Sequence, residues 1–147
     1  MSGLAGLLTG LIAGDAEPGI YRWHGAFDVA DVQRTVEHAG FGFAHVDGWL
    51  GETKAEFLAA VGEALGLLDD YGQNFDALAD GLHDIGARQA GVVLLWDGWS
   101  PLARADQNAF NIALSVLGSR VNADRGVPFS VLLRGEGPEV PGIASLD

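Results

Sequence analysis

Residues 92 to 96 read Val-Val-Leu-Leu-Trp, five large apolar side chains with no polar residue between them. A strand with one wet face alternates apolar and polar residues. An unbroken apolar run of this length is the pattern of a strand covered on both faces, the kind that builds parallel sheets. Helices must then lie on both sides, and the fold class is α/β, a small parallel sheet covered by helices.

Two more core strands flank this run in sequence, Phe41 to Val46 before it and Phe129 to Leu133, introduced by Pro128, after it. A further N-terminal strand is expected at Ile20 to His24. Between them lie helix signals. Asp28, with Asp31 three residues on, is placed to cap a helix carrying Val29, Val32 and Val36, which Gly40 ends. Thr53 and Glu56 form a capping box ahead of Phe57, Leu58, Val61 and Leu65, closing at Gly66. Another helix begins at Asn74. Ser100-Pro101 supplies an N-cap and a first-turn proline, and Phe110, Leu114, Leu117 and Val121 mark the last long helix. After an N-terminal helix the order is β-α-β-α-α-β-α-β, joined by right-handed crossovers. One domain is expected over residues 1–147: an N-terminal helix and β-α extension (1–40), a core (41–134) and a loose C-terminal tail (135–147).

Residues 1 to 14 carry no charged side chain, yet they lack the basic start of an export signal and reach Asp15 too soon to cross a membrane. Leu4, Leu7, Leu8, Leu11 and Ile12 instead share one helix face, so the segment reads as an amphipathic docking helix stopped at Gly14. The chain has no Cys, which excludes a disulfide framework, a thiolate nucleophile and a Cys-ligated zinc. A cytoplasmic protein is the expectation, with no membrane partner.

Eight basic residues face 20 acidic ones, for a formal net charge of −12, and such a chain repels nucleic acid phosphates. Direct nucleic-acid binding is thereby excluded. The charge is uneven: residues 41–90 hold nine acidic and two basic residues, a net −7. Asp69, Asp70, Asp76, Asp80 and Asp84 fall within 16 residues that contain no Lys or Arg. At about 100° per residue, Asp76, Asp80 and Asp84 occupy an arc of about 80°, opposite Phe75, Leu78, Ala79, Leu82 and Ile85. The apolar face can dock and the acidic face must be wet. Like charges at i, i+4 cost roughly 0.2–0.5 kcal/mol per pair, and Gly81 costs about 1 kcal/mol relative to Ala. A helix this poorly designed for its own stability, with one sign of charge on its wet face, marks a functional surface rather than ordinary solvation. The preceding Asp70-Tyr71-Gly72-Gln73 adds an aromatic ring and a flexible glycine beside the carboxylates. The partner implied is strongly basic, with Arg, Lys or His arranged to hold phosphate.

The stretch Tyr71-Gly72-Gln73-Asn74-Phe75-Asp76-Ala77-Leu78-Ala79-Asp80 resembles the signature of the barstar family, intracellular inhibitors of secreted guanyl-specific ribonucleases of the barnase type. The similarity runs from about Phe41 to Leu133. It implies a barstar-like fold of three core strands, here with an extra N-terminal strand, and a basic extracellular ribonuclease as partner. By that resemblance Asp80 is the principal inhibitory carboxylate, entering the nuclease cleft where a substrate phosphate sits, and Asp76 is a second acidic contact. Asn74 caps the binding helix; Tyr71, Gly72, Asp70, Gln73 and Asp84 complete the expected partner-binding set. Three positions depart from the family pattern: Asp70 and Ala79 stand where aromatics occur in other members, and Gly118-Ser119-Arg120 lacks a late acidic residue. These departures bear on the partner rather than on the fold.

Catalytic alternatives are thin. His83-Asp84, with Asp80, resembles a metal-hydrolase dyad, but no His-x-x-His or Cys pairing supports it, so neither a metal nor a cofactor is expected. His45-Val46-Asp47 shares one strand face and reads as a capped strand end. Ser100 and Ser130 lack a nucleophile elbow, and Gly135, Gly137 and Gly142 make no phosphate loop. Trp23, Trp49, Trp96 and Trp99 read as core or rim, with Trp99 the one placed to reach a partner. The chain is not read as an enzyme. The alternative is a non-enzymatic immunity or interaction module for another basic protein, self-associating through the N-terminal helix; a monomer is otherwise expected. Light scattering on a chain lacking residues 1 to 14 separates these states.

Overall fold

The computed structural model describes residues 10–11, 17–67, 72–123 and 126–145. Its elements in chain order are β1 (Ile20–Trp23), α1 (Val29–His38), β2 (Gly42–Asp47), α2 (Lys54–Ala64), α3 (Phe75–Leu82), β3 (Val92–Asp97), α4 (Ser100–Ala105), α5 (Gln107–Val121), β4 (Phe129–Arg134) and β5 (Ala144–Ser145). The strands form one sheet in the order β2-β3-β4-β1-β5, and every pairing is parallel.

The run that decided the fold class lies in β3, the strand between β2 and β4, and every residue of β3 is buried. Its alternate side chains enter two different cores. Val92, Leu94 and Trp96 pack with Phe57, Leu58 and Val61 of α2, Leu78 and Leu82 of α3, and Phe110 and Leu117 of α5. Val93 and Leu95 face the other way, toward Trp23 of β1, Val32 and Val36 of α1, and Leu11. Helices on both faces are what a fully apolar central strand demands. Most of the N-terminal helix reading, Leu4, Leu7, Leu8 and Ile12, falls outside the described residues; Leu11 is buried in the second core.

Local signals behave as their chemistry requires in α2. Thr53 Oγ1 accepts the Glu56 amide at 3.1 Å while Glu56 Oε1 accepts the Glu52 amide at 3.3 Å, so two helix-end donors are satisfied together. Gly66 follows the helix at φ +66°, a conformation open to glycine at little cost. Asp28, by contrast, stands at the N-cap of α1 without a side-chain cap bond, and Asp31 turns instead to Arg34.

Three expectations are corrected. The segment after Gly135 is not a loose end: it crosses β1 and adds β5, with Tyr21 opposite Ala144 and Arg22 opposite Ser145, giving five strands where four were expected. Two residues are too few to carry a periodic signal, and the pairing arises because β1 would otherwise end the sheet with unpaired backbone groups. The last long helix is two helices. Asp106 leaves the helical region at φ −149°, ψ 80° and its carboxylate accepts the Ala109 amide at 3.0 Å, so it ends α4 and caps α5. Ser100 is the first residue of α4, and Trp99, fully buried at the N-cap, is not available to a partner. The exposed tryptophan is Trp49, at 49 %.

Candidate functional site

Helix α3 is two turns long and held from both ends and beneath. At its start the Asn74 side-chain oxygen accepts the Ala77 amide at 2.7 Å, with Asn74 itself extended at φ −134°, ψ 170°. Gln73 just before it adopts φ +50°, which lets the chain turn sharply into the helix, and Gly72 beside it is exposed. Leu78 and Leu82 are buried in the first core. Phe75 is half-buried, its ring centroid 6.5 Å from that of Phe57 and 5.6 Å from the Lys54 ammonium. At the far end Arg120 of α5, itself buried, donates from Nε to the Leu82 carbonyl and from Nη2 to the Val127 carbonyl, both at 2.9 Å. Its guanidinium also lies 5.5 Å from the Phe129 ring, and burial holds its pKa below the ordinary arginine value.

With its apolar side fixed in this way, the helix turns Asp76 and Asp80 outward. Both are exposed, one turn apart, and neither forms an ion pair among the described residues. Asp84 does not share the helix with them. The helix ends at Leu82, and His83 to Arg88 form a turn that Gly86, at φ +69°, carries back toward β3. A side chain on Gly86 would place its first carbon 2.4 Å from Val92, so the chain passes close to the strand there. Asp84 is exposed in that turn, adjacent to the stripe rather than within it. Asp70 and Tyr71 lie outside the described residues. The structure thus brings Gly72, Gln73, Asn74, Asp76 and Asp80 together on one short element.

The sequence did not single out Arg120 or the wall that α5 presents to α3. Arg120 appears in the primary structure as one basic residue near a helix end, and only the fold reveals that it reaches the Leu82 carbonyl, 38 positions away. His45 also has an unforeseen partner. Its Nε2 lies 2.8 Å from Asp97 Oδ2 on the neighbouring strand, while Asp47 accepts the Trp49 amide instead.

Among the described residues, no group of three or more His, Asp or Glu side chains stands where it could hold a metal ion, and no helix is long and apolar enough to cross a membrane.

This architecture is a parallel α/β module that displays a short acidic helix on the outside of one of its layers. The chain belongs to the barstar family: the family model described as Barstar (barnase inhibitor) matches residues 41–134. The matched part runs from the start of β2 to the end of β4, so the β1-α1 extension and β5 lie outside it. No curated protein matches the sequence. Among solved structures, the chain is similar to the Aeropyrum pernix ORC2 protein determined as ADPNP-ADP complexes, at 13% identity and a TM-score of 0.59. That likeness covers 91% of this chain and 39% of the archaeal one, and it reflects a shared fold.

Proposed function

We propose that this protein is an intracellular inhibitor of a secreted guanyl-specific ribonuclease and that α3 enters the nuclease active site. The observation that carries this reading is the pair Asp76 and Asp80, exposed and without an ion pair among the described residues, on a helix fixed by Asn74, Leu78, Leu82 and Arg120. A ribonuclease cleft holds RNA phosphates with cationic side chains, and carboxylates held one helical turn apart present negative charge to the same groups. Because the helix is already capped and packed, little ordering cost is incurred on binding. The net charge of −12 also accelerates encounter with a basic enzyme. Asp80 is assigned as the principal contact, Asp76 as the second, with Gly72, Gln73 and Asn74 shaping the approach and Tyr71, Asp70 and Asp84 flanking it. The protein itself performs no chemistry in this reading.

Titration of the purified chain into a guanyl-specific ribonuclease assay tests the proposal. Stoichiometric loss of RNA cleavage is the expected result. Full activity at a large excess of the protein would reject it and leave an interaction module for a different basic protein.

A further inference from the structure

Next to Asp80 the surface falls into a depression of about 220 Å³ between α3 and α5. Its buried members, Leu82 and the stem of Arg120, form the floor. Ala79 on α3 and Val116 and Ala123 on the α5 side line the mostly apolar walls, with His83 just past α3 as a polar neighbour. The hollow exists because the positions around it are small: Ala79 directly precedes Asp80 and Ser119 directly precedes Arg120, and both are exposed. The acidic stripe proposed to dock against a basic protein therefore carries a concave, mostly apolar spot beside Asp80.

We infer that this depression receives one aromatic side chain of the partner, one that carries a hydrogen-bond donor, as tyrosine does. The inference rests on α3 being the docking helix and adds the feature that selects the partner. Four properties of the site converge on that occupant. The methyl-lined walls favour an apolar body over a hydrated one. The Asp80 carboxylate at the edge excludes an acidic side chain and offers an acceptor to an O–H or N–H; a purely aliphatic occupant would desolvate that carboxylate without a donor. The positive charge that Arg120 carries behind the floor disfavours a second cation at close range. The size of the hollow suits one large side chain rather than a loop. A cationic partner residue meeting Asp80 approaches from solvent, outside the hollow, so the acidic stripe and the aromatic spot act on different groups of the same partner.

The test uses the full chain with carbon-13-labelled methyl groups and two small probes, p-cresol for a tyrosine side chain and n-butylguanidinium for an arginine. Saturable shifts of the Ala79, Leu82, Val116 and Ala123 methyls with p-cresol, and none there with n-butylguanidinium, are expected. Ala79→Trp fills the hollow and should abolish the response while the remaining methyl spectrum stays native; Ser119→Trp, from the opposite wall, should do the same. Silence toward p-cresol, or an equal or stronger response to n-butylguanidinium, overturns the inference. A second arm uses a guanyl-specific ribonuclease that the unmodified protein inhibits. There Ala79→Trp should weaken inhibition at least about tenfold, the loss of one buried anchor, and unchanged or tighter inhibition counts against the site. The two readings fail separately. Methyl shifts without inhibition of any such ribonuclease reject the proposed function and keep the hollow, whereas inhibition with silent methyls does the reverse.

Discussion

Arg134 and Asp97, direct neighbours across β4 and β3, form a two-point ion pair with Nε 2.6 Å from Oδ1 and Nη2 3.0 Å from Oδ2. The same guanidinium uses Nη1 to hold the carbonyls of Gly25 and Phe27, at 2.9 and 2.8 Å. One arginine at the end of the family-matched segment thereby fixes the loop between β1 and α1, which lies outside it. His45 Nε2 lies 2.8 Å from Oδ2 of the same carboxylate, the oxygen that also accepts from Nη2. His45, Asp97 and Arg134 thus form a polar row across β2, β3 and β4, on the face that carries Val93 and Leu95.

Asp97→Ala should destabilise the protein by about 3 kcal/mol, because removing one partner of a largely buried pair strands the other charge. Urea denaturation gives the number: the midpoint should fall with little change in slope, while Asp97→Asn, which still accepts from Arg134, should lose less. Helix α3 lies on the other side of the sheet, so under the proposed function neither variant should weaken inhibition at temperatures where the fold is intact.

Loss of the helix cap has the opposite profile. Asn74→Ala removes the acceptor of the Ala77 amide and should cost about 1 kcal/mol. The amide protons of α3 should exchange faster while those of α5 keep their protection. Inhibition should weaken as well, since the helix that carries Asp76 and Asp80 frays at its start. Asn74→Asp keeps a capping oxygen and should restore both properties; a normal exchange pattern in Asn74→Ala would show that packing alone fixes the helix.

Asp80→Ala and Asp106→Ala separate binding from folding. Asp80 is exposed and makes no ion pair among the described residues, so its loss should leave stability nearly unchanged and weaken inhibition by about 30-fold or more. Asp106 caps α5, so its loss should lower stability by about 1 kcal/mol and leave inhibition intact. Equal effects on inhibition would place the docking surface elsewhere.

Inhibition should also weaken steadily with added salt. Exposed charges interact over a screening length of about 10 Å at 0.1 M, and it shortens as salt rises. Association rates measured by stopped flow should carry most of the change, dissociation rates little. Salt-independent association would assign the encounter to apolar contact.

The sheet was legible from β3 because five apolar residues in a row admit few other arrangements, and α2 from the Thr53–Glu56 box because two reciprocal bonds need only local spacing. The tip of the acidic stripe was legible for the same reason: an asparagine followed by a short amphipathic run is a local signal. What stayed hidden depends on distant chain. The 3.6-residue repeat continues smoothly through Asp84, and the helix nevertheless stops at Leu82 because the chain must turn at Gly86 to enter β3. Arg120 under α3 and Asp97 beneath His45 are meetings between elements, and no spacing within either element announces them. The break at Asp106 is a contest between a side-chain cap and a continuous helix, which composition leaves open.

The family-matched segment is not expected to stand alone in this protein. Cutting the chain to residues 41–134 removes Trp23, Val32 and Val36, each buried without residual exposure, and uncovers Val93, Leu95 and Leu132 on the sheet. Each such side chain contributes roughly 1.5–3 kcal/mol on burial, so their combined loss is comparable with the whole stability of a typical domain, about 5–15 kcal/mol. The cut also bares the edge of β4, whose four residues Val131 to Arg134 pair with β1, and leaves Arg134 without the Gly25 and Phe27 carbonyls. An exposed parallel edge beside an apolar face is a template for association. The fragment should therefore elute as aggregate or give a poorly dispersed amide spectrum, whereas the full chain, with Leu11, Trp23, Val32 and Val36 in place, should stay monomeric and native. A sharp native spectrum from 41–134 would mean that the apolar side of β3 tolerates water without α1, and β1-α1 would then be an appendage rather than half of the second core.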